Sequence, residues 1–360
     1  MIMKKKWLTL VLIFFSFGHG FAQGNKELKT FIQHNVDSIY DKETPPGIVV
    51  GILNNGQRDY FTAGFADPDK QMPFDSATIF EIGSITKTFT AYVLTAVLVE
   101  NKIADTGSII KYLPDSVQQN KQLEGISFLS LMNHTSGLPR LPGNMKMDNA
   151  RQPYALYSST ELFAYLKTAT PKPDGKSNYS NLGAGLAGVL AERISGKSYA
   201  ALLDTYIFLP FKIVTAANSI EQTENKSQGY FGKNDKTAYW NMNVLAPAGG
   251  LKCSASEMLT YLQNMCFPAS ANVKQVVEKI TTQTIAVNPR IAVGRGWHIF
   301  NENEQPLFYW HNGGTYGFST FCAFTKDKSK AVIIAINQFS KNAQADGLGM
   351  TIIKRLSSGL

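Results

Sequence analysis

The chain has 360 residues, of which 44% are hydrophobic and 17% are charged. This composition is typical of one large globular domain or two closely joined domains, and it excludes a disordered, fibrous or coiled-coil chain. The formal net charge is +8, but beyond the N-terminus lysine and arginine occur singly, so we expect no nucleic-acid partner.

The first 22 residues have the pattern of a secretory signal peptide. Three lysines at positions 4–6 precede an apolar run at 7–17, and Gly20 and Ala22 provide the small side chains that suit a signal peptidase. The apolar run is about half of the roughly 20 residues needed to cross a bilayer. We therefore predict that residues 1–22 are removed, that the net charge falls from +8 to +5 when the three lysines are lost, and that the mature protein is periplasmic or secreted, with no stable membrane anchor.

The mature chain begins with a predicted helix and a β-hairpin. Apolar residues recur near helical spacing over residues 28–40. Two β-rich runs follow within residues 47–64, and they flank Asn54, Asn55 and Gly56, a favourable sequence for a hairpin turn. We expect the helix to pack on the sheet to which the hairpin belongs.

The middle of the chain is mainly helical, and strands return near its end. Apolar spacing predicts helices at 88–100, 159–169, 180–194, 199–207 and 254–265. It then predicts strands at 296–300, 307–311, 318–324 and 331–337, followed by a helix at 343–356.

Strands at both ends of the chain with helices between them indicate an α/β (α+β) fold whose antiparallel sheet is completed by both termini and flanked by helices. We predict an α/β sandwich domain from residues 23–83 and 285–360, with residues 84–284 inserted as a mainly helical domain. A ligand site is expected where the two parts meet.

Ser84 and Lys87 lie at the start of the first predicted inner helix, three residues apart and therefore on one face. A serine hydroxyl needs a base to become a nucleophile, and a lysine serves if burial lowers its pKa from about 10.4. The same spacing recurs at Ser108 and Lys111, but Pro114 follows closely, so we interpret that segment as a structural turn.

Tyr179 and Asn181 precede a helix whose first residues, 182–188, are mostly small and allow a close approach to a neighbouring element. A tyrosine in such a loop can pass a proton to a leaving group, although packing is the commoner role. The pattern recurs at Tyr239 and Asn241, and there we favour packing.

His311, Asn312, Gly313 and Gly314 end a predicted strand. Successive glycines let a substrate approach the backbone, and a strand N–H can donate to an oxyanion. Taken alone, the two glycines are equally consistent with a hairpin turn.

Other polar residues receive structural interpretations. His134 and Ser136 lie two residues apart, too close for a catalytic triad, and are assigned to a structural loop; Trp297 and His298 are assigned to the core or the rim of a site. No metal-binding motif occurs, so we expect no metal and no cofactor.

The three cysteines, Cys253, Cys266 and Cys322, are predicted to be buried free thiols. A bridge between the first two stays open as an alternative because an exported chain permits disulfides.

Three motifs together resemble a known superfamily. Ser84–Lys87, Tyr179–Asn181 and His311–Gly313 have the order and approximate separation of the motifs of the penicillin-recognising serine hydrolases. The chain is similar to the β-lactamase/transpeptidase-like branch that holds class C β-lactamases, D,D-carboxypeptidases, D-aminopeptidases and related esterases. The resemblance covers nearly all of the mature chain and includes Leu131–Pro139 and Pro247–Leu251.

The resemblance implies an acyl-enzyme mechanism. Ser84 would attack the carbonyl carbon, and Lys87 and Tyr179 would share the acid and base work. The backbone N–H groups of Ser84 and Gly314 would form the oxyanion hole.

It also implies a set of substrate-binding residues. Asn181 would position the substrate or the lysine, and His311 would line the site and meet a substrate carboxylate. Asn312, Gly313 and Gly314 complete the predicted binding set.

The third motif departs from most β-lactamases, because it begins with His311 where they usually carry lysine. That departure favours peptidases and esterases, whereas the sequence of Phe80–Phe89 favours class C β-lactamases. We therefore expect an exported, monomeric, class C-like β-lactamase acting on small molecules. The alternatives are a D,D-carboxypeptidase, a D-aminopeptidase, an esterase, or a β-lactam-binding protein that deacylates slowly.

Overall fold

A computed structural model describes residues 26–42, 46–146, 148–214, 223–326 and 329–358. The predicted signal peptide, residues 1–22, lies outside the described residues.

The strands, in chain order, are β1 Gly47–Asn54, β2 Gln57–Asp67, β3 Met72–Pro73, β4 Ile79–Glu81, β5 Gly229–Gly232, β6 Asp235–Thr237, β7 Lys252–Ser254, β8 Ile285–Asn288, β9 Ile291–Val293, β10 His298–Glu302, β11 Gln305–Gly314, β12 Ser319–Thr325 and β13 Lys330–Ile336. Across the described ranges, nine of them form one sheet in the order β3-β2-β1-β13-β12-β11-β10-β9-β8. Every neighbouring pair in it is antiparallel.

The helices are α1 at residues 26–42, α2 Thr86–Glu100, α3 Asp115–Gln118, α4 Phe128–Met132, α5 Ser159–Leu166, α6 Asn181–Ser195, α7 Tyr199–Leu203, α8 Leu209–Phe211, α9 Ala255–Cys266, α10 Ala271–Thr281 and α11 Asn342–Ser358. Two 3₁₀ turns matter for the site, Gly83–Ile85 and Asn243–Ala248.

The two faces of the sheet carry separate apolar clusters. On β1, Val50 and Ile52 join α1 and α11 on one face, while Val49 and Leu53 join α2 and α9 on the other. This alternation follows from the two-residue period of a strand. The mixed α/β fold with an antiparallel sheet completed by both ends of the chain confirms the predicted fold class; the exact domain boundaries stay a prediction.

Local predictions also hold where a specific residue determines the backbone. Asn55 and Gly56 have φ angles of 53° and 87° at the β1–β2 hairpin, as a tight hairpin turn with positive φ at both positions requires. In α6 a Cβ added at Gly188 would lie 2.2 Å from Cγ of Pro247. The small residues therefore allow α6 to pack directly on the Asn243–Ala248 turn.

Some elements differ from the sequence-based prediction. The predicted helix at 199–207 divides into α7 and a π-helical turn, Asp204–Phe208. The predicted strand at 296–300 begins at His298, because Gly296 adopts a φ of 75°. The helix α10 and the short strands β3 to β9 were not predicted; strands of two to four residues are too short to show an alternating pattern.

Cys253, Cys266 and Cys322 are all buried free thiols, so the Cys253–Cys266 bridge does not form. Within the described ranges, no helix is long and apolar enough to cross a membrane. In the same ranges, no three His, Cys, Asp or Glu side chains are grouped to hold a metal ion.

Candidate active site

Ser84 lies in a tight turn between β4 and α2, inside the 3₁₀ segment Gly83–Ile85. The turn requires glycine at Gly83, which has a φ of 52°, and a Cβ there would lie 2.6 Å from the backbone N of Gly314. Only glycine combines that φ with so close an approach. The turn therefore places Ser84 at the N-terminal end of α2 and against the end of β11.

Lys87, on the first turn of α2, is the basic group beside the serine. Its Nζ lies 3.0 Å from Ser84 Oγ and donates to the carbonyl oxygen of Ala248 at 2.5 Å. The side chain is 3% exposed. This burial, assisted by the charge of Arg140, lowers the pKa of Lys87 well below its ordinary value. The lowered pKa favours the neutral amine, which is the form that can accept the Ser84 proton.

The Lys87 acceptor is held by the packing of α6. Ala248 ends the 3₁₀ segment that lies on Gly188. The preceding carbonyl, that of Pro247, accepts a hydrogen bond of 2.6 Å from Thr90 on α2. The stripe of small residues predicted from sequence therefore helps to set the position of the carbonyl that orients Lys87.

Tyr179 faces the same pair. Lys87 Nζ lies 4.7 Å from the centroid of its ring, and the Arg140 guanidinium lies 5.1 Å from it. Burial raises the pKa of Tyr179, while a hydrogen bond with Ser84 and the charge of Arg140 act in the opposite direction. The phenol therefore stays protonated at neutral pH and can donate.

The loop of Tyr179 is fixed by His134. The Asn178 N–H donates to the carbonyl oxygen of His134 at 2.7 Å, and the Ser180 N–H donates to His134 Nδ1 at 3.3 Å. Burial lowers the pKa of His134 to about 3, so its ring stays neutral and Nδ1 can accept. The structural interpretation of the His134 loop is confirmed by these contacts.

Asn181 begins α6 beside Tyr179 and lines the same cavity as Ser84. Its side-chain Oδ1 is buried and has no hydrogen-bond partner in the part of the chain that the structure describes. A buried acceptor without a partner is costly, so this oxygen favours any donor that comes within its reach.

The end of β11 forms the opposite wall. Asn312, Gly313 and Gly314 line the cavity. Asn342 donates to the Gly313 carbonyl at 2.7 Å, and a Cβ at Gly313 would lie 2.0 Å from the carbonyl oxygen of Ile82. Gly313 is thus required by the close contact between β11 and the segment that leads to Ser84. The simple hairpin alternative does not apply, because β11 extends through Gly314.

His311 is placed differently from the sequence-based expectation. Its side chain is 2% exposed and is not part of the cavity wall. Nδ1 donates to the Asn312 carbonyl at 2.6 Å. Burial, with smaller effects from His298 and Lys87, lowers the pKa of His311 well below its ordinary value. The ring is therefore neutral and buried, and it does not offer a cation to a substrate carboxylate.

These groups surround an open cavity of about 520 Å³. One part of its wall is aromatic, which the sequence analysis did not predict. The rings of Tyr154 and Trp240 lie 5.1 Å apart, and those of Trp240 and Tyr316 lie 4.8 Å apart. These residues come from separate loops, so no local sequence signal links them.

The comparisons with known proteins agree with this geometry. The family model described as Beta-lactamase matches residues 32–355. The chain belongs to the beta-lactamase family. Among its relatives, the beta-lactamase of Escherichia coli (strain K12) is 27% identical over 350 residues, which cover 87% of this chain and 89% of the relative. Beta-lactamases of Providencia stuartii and Pseudomonas fluorescens are each 24% identical, over 85% and 88% of this chain and 87% and 96% of their own lengths.

Membership of the beta-lactamase family confirms the resemblance drawn from the three motifs. It also identifies the chain as a hydrolase of the serine beta-lactamase type.

A buried carboxylate under this beta-lactamase-type site was also missed from sequence. Glu81 accepts from the Trp240 N–H at 2.5 Å and from Thr315 Oγ1 at 2.6 Å. Burial raises the pKa of Glu81, and these hydrogen bonds lower it. Glu81 thus joins β4 to two segments of the cavity wall, and nothing in its local sequence indicates that role.

The motif-like segments set aside in the sequence analysis are structural. Ser108 precedes a single 3₁₀ turn, Ile110–Tyr112. Tyr239 donates to the backbone carbonyls of Ser227 and Ile79, at 2.6 and 3.1 Å.

Trp297 is fully buried between the rings of Tyr261 and Phe324, while His298 lines the cavity. These positions confirm the assignment of the two residues to the core and the rim.

Proposed function

We propose that the protein is an exported, class C-like β-lactamase that hydrolyses the β-lactam amide through an acyl-enzyme on Ser84. The observation that carries this proposal is the 3.0 Å contact between Ser84 Oγ and the Nζ of a buried lysine. The class C assignment is supported by the sequence of Phe80–Phe89 and by relatives that are named beta-lactamases.

In the proposed acylation, Lys87 acts in its neutral form and Tyr179 acts in its protonated form. Neutral Lys87 accepts the Ser84 proton as Oγ attacks the carbonyl carbon. The carbon–nitrogen bond then breaks, and the nitrogen receives a proton from the phenol of Tyr179, which is replenished from Lys87. The lowered pKa of the amine and the raised pKa of the phenol support this division of roles.

The developing oxyanion needs hydrogen-bond donors in front of Ser84. The N–H groups of Ser84 and Gly314 are the proposed donors, supported by the contact between the Gly83 turn and Gly314. Loss of one such donor typically costs about 100- to 1000-fold in rate. Water then attacks the acyl carbon, Lys87 and Tyr179 accept and return its proton, and the acid is released with Ser84 restored.

Export rests on the sequence of residues 1–22, with a basic start, an apolar run and small residues before position 23. The mass of the protein recovered from the periplasm or the medium tests it. We expect a chain that starts at or near Gln23, and a chain retaining the leader would contradict export by cleavage.

The test of function is turnover of a chromogenic cephalosporin by the purified mature protein, with intact mass recorded in parallel. Ser84→Ala should remove both hydrolysis and covalent labelling by penicillin, with a rate loss of about 10⁴-fold or more. Ser108→Ala is the matched control, because it has the same motif spacing and should keep full activity.

Three results separate the alternatives. Sustained hydrolysis with little adduct supports a β-lactamase. A stoichiometric adduct on Ser84 without turnover supports a D,D-carboxypeptidase or a slowly deacylating binding protein. No adduct and no turnover contradicts the proposal and directs the assay to esters and D-amino-acid peptides, and equal loss in the two serine variants contradicts the choice of nucleophile.

A further inference from the structure

The cavity in front of Ser84 has an unusual charge balance. Among the described residues of its wall there is no aspartate or glutamate, and Arg140 is the one lysine or arginine side chain. A guanidinium stays charged at any physiological pH. The wall therefore favours an anionic group on whatever enters, and His311, buried and neutral, does not share that role.

The backbone of Arg140 is fixed next to the reacting groups. Its carbonyl oxygen accepts from the N–H groups of Asn181 and Leu182 at the start of α6, at 3.0 and 3.3 Å. The preceding carbonyl, that of Pro139, accepts from Ser180 Oγ at 2.7 Å. The arginine therefore extends from a rigid position beside Tyr179, over whose ring its guanidinium lies.

The guanidinium has no acidic partner in the described part of the chain. The ion pairs found there involve other arginines and lysines. The guanidinium carbon lies 5.1 Å from the centroid of the Tyr179 ring, and the side chain is exposed to the cavity and solvent. The guanidinium can thus present two parallel N–H donors to a bidentate anion such as a carboxylate.

We propose that Arg140 is a substrate-binding residue that pairs with a carboxylate of the substrate, so that the enzyme prefers anionic acyl donors to neutral ones of the same shape. This inference rests on the proposed function, since it concerns the substrate of the same Ser84 site. Under this proposal Arg140, which lies outside the three motifs, provides the positive charge that the third motif lacks.

A second role for Arg140 predicts a different result. Its charge also lowers the pKa of Lys87, so an arginine that acted only through the lysine would affect every substrate equally. Its removal would then raise the pKa of Lys87 and shift the acidic limb of the pH profile of kcat/KM upward. A carboxylate-binding role instead changes the ratio between charged and neutral substrates.

The experiment compares a chromogenic cephalosporin with its methyl ester at the ring carboxylate. Arg140→Gln should lower kcat/KM for the acid about 10- to 100-fold more than kcat/KM for the ester, so that the acid-to-ester ratio falls by that factor. Arg140→Lys should restore part of the preference, because it keeps the charge without the fork of donors. Because misfolding lowers both rates equally, the ratio of acid to ester within one protein sample tests the proposal even if a variant is unstable.

Arg290→Gln is the matched control, since it makes the same change at an exposed turn between β8 and β9, outside the cavity wall. It should leave both rates unchanged. An unchanged acid-to-ester ratio in Arg140→Gln, or equal losses with a shifted pH profile, would overturn the inference.

If neither cephalosporin is hydrolysed by the wild-type protein, the proposed function fails and a second pair decides Arg140 alone. That pair is 4-nitrophenyl acetate and 4-nitrophenyl hemisuccinate, which differ by a carboxylate. A selective loss of hemisuccinate hydrolysis in Arg140→Gln supports the inference. Equal fold-losses for the two esters in this variant, or no hydrolysis of either ester by the wild type, overturn it.

Discussion

Two five-residue segments of this chain are almost identical and fold differently. Gly83–Lys87 reads Gly-Ser-Ile-Thr-Lys, and Gly107–Lys111 reads Gly-Ser-Ile-Ile-Lys. In the first, the lysine is 3% exposed and contacts the serine. In the second, the lysine is exposed and its Nζ lies 4.9 Å from the ring of Tyr112.

The difference arises from the residues on the C-terminal side of each segment. Lys87 belongs to a 15-residue helix that is buried almost throughout. By contrast, Pro114 follows three residues after Lys111, and the short 3₁₀ turn Ile110–Tyr112 ends before it. A Ser-x-x-Lys pair thus becomes a nucleophile and base only where its helix continues into the core and the lysine amine is buried away from solvent. Matched substitutions in the two segments test this comparison directly.

The largest effect is expected from the two lysines. Lys87→Met should lower kcat by about 10²- to 10⁴-fold, the usual range for loss of a general base, because methionine fills the space without an amine. Its stability should change little, since removal of a buried amine offsets the lost hydrogen bond to Ala248. Lys111→Met should change neither property.

Steady-state kinetics and thermal unfolding of the two lysine variants provide the measurement. Full activity in Lys87→Met, or a similar loss in Lys111→Met, would show that burial of the amine does not distinguish the two segments.

A smaller effect is expected from the two glycines that precede the serines. Gly83→Ala forces a side chain into a φ of 52° and against the backbone N of Gly314, which should cost about 1–3 kcal/mol of the free energy of unfolding. The displaced Ser84 should lose about 100-fold in kcat/KM.

Gly107→Ala is the matched change. Its Cβ would meet only the carbonyl oxygen of Ala104, at 3.1 Å, and a small shift relieves that contact. Urea unfolding and kcat/KM should show little change. Equal destabilisation in the two glycine variants would mean that the contact with Gly314 does not fix the position of Ser84.

The sequence predicted the elements that repeat a pattern over many residues. The long helices α2, α6 and α9 are within two residues of their predicted ends, since their apolar spacing and Ser180 or Ser254 caps act locally. The three motifs could be placed in order along the chain for the same reason.

The sequence could not predict how deeply each motif residue is buried. His311 is at a predicted site position, yet four other groups, His298, Lys87, His134 and the Asn312 carbonyl, surround it in the fold. Glu81 and Arg140 have no motif of their own, and their partners come from segments far away in the chain. Burial and charge at the site depend on tertiary contacts that no short segment encodes.

The smallest effect follows from the dry surroundings of the Ser84 segment, which keep two histidines neutral. Burial lowers the pKa of His298 to about 4 and that of His134 to about 3, whereas a histidine in the unfolded chain titrates near 6.5. Between these values the unfolded chain binds more protons, so each histidine reduces the stability of the fold as the pH falls from 6.5. Above pH 6.5 these histidines are neutral in both the folded and the unfolded chain, so this loss of stability is absent there.

Urea unfolding of the wild type and of His298→Gln at pH 7 and pH 4.5 isolates this contribution. Asp346, whose pKa is raised to about 6 by burial, acts with the opposite sign, but it is present in both proteins and cancels in their difference. Relative to the variant, the wild type should lose on the order of 1–2 kcal/mol at the lower pH. A difference that does not depend on pH would mean that His298 is hydrated in the folded protein, and that the cavity beside Ser84 is wetter than its burial implies.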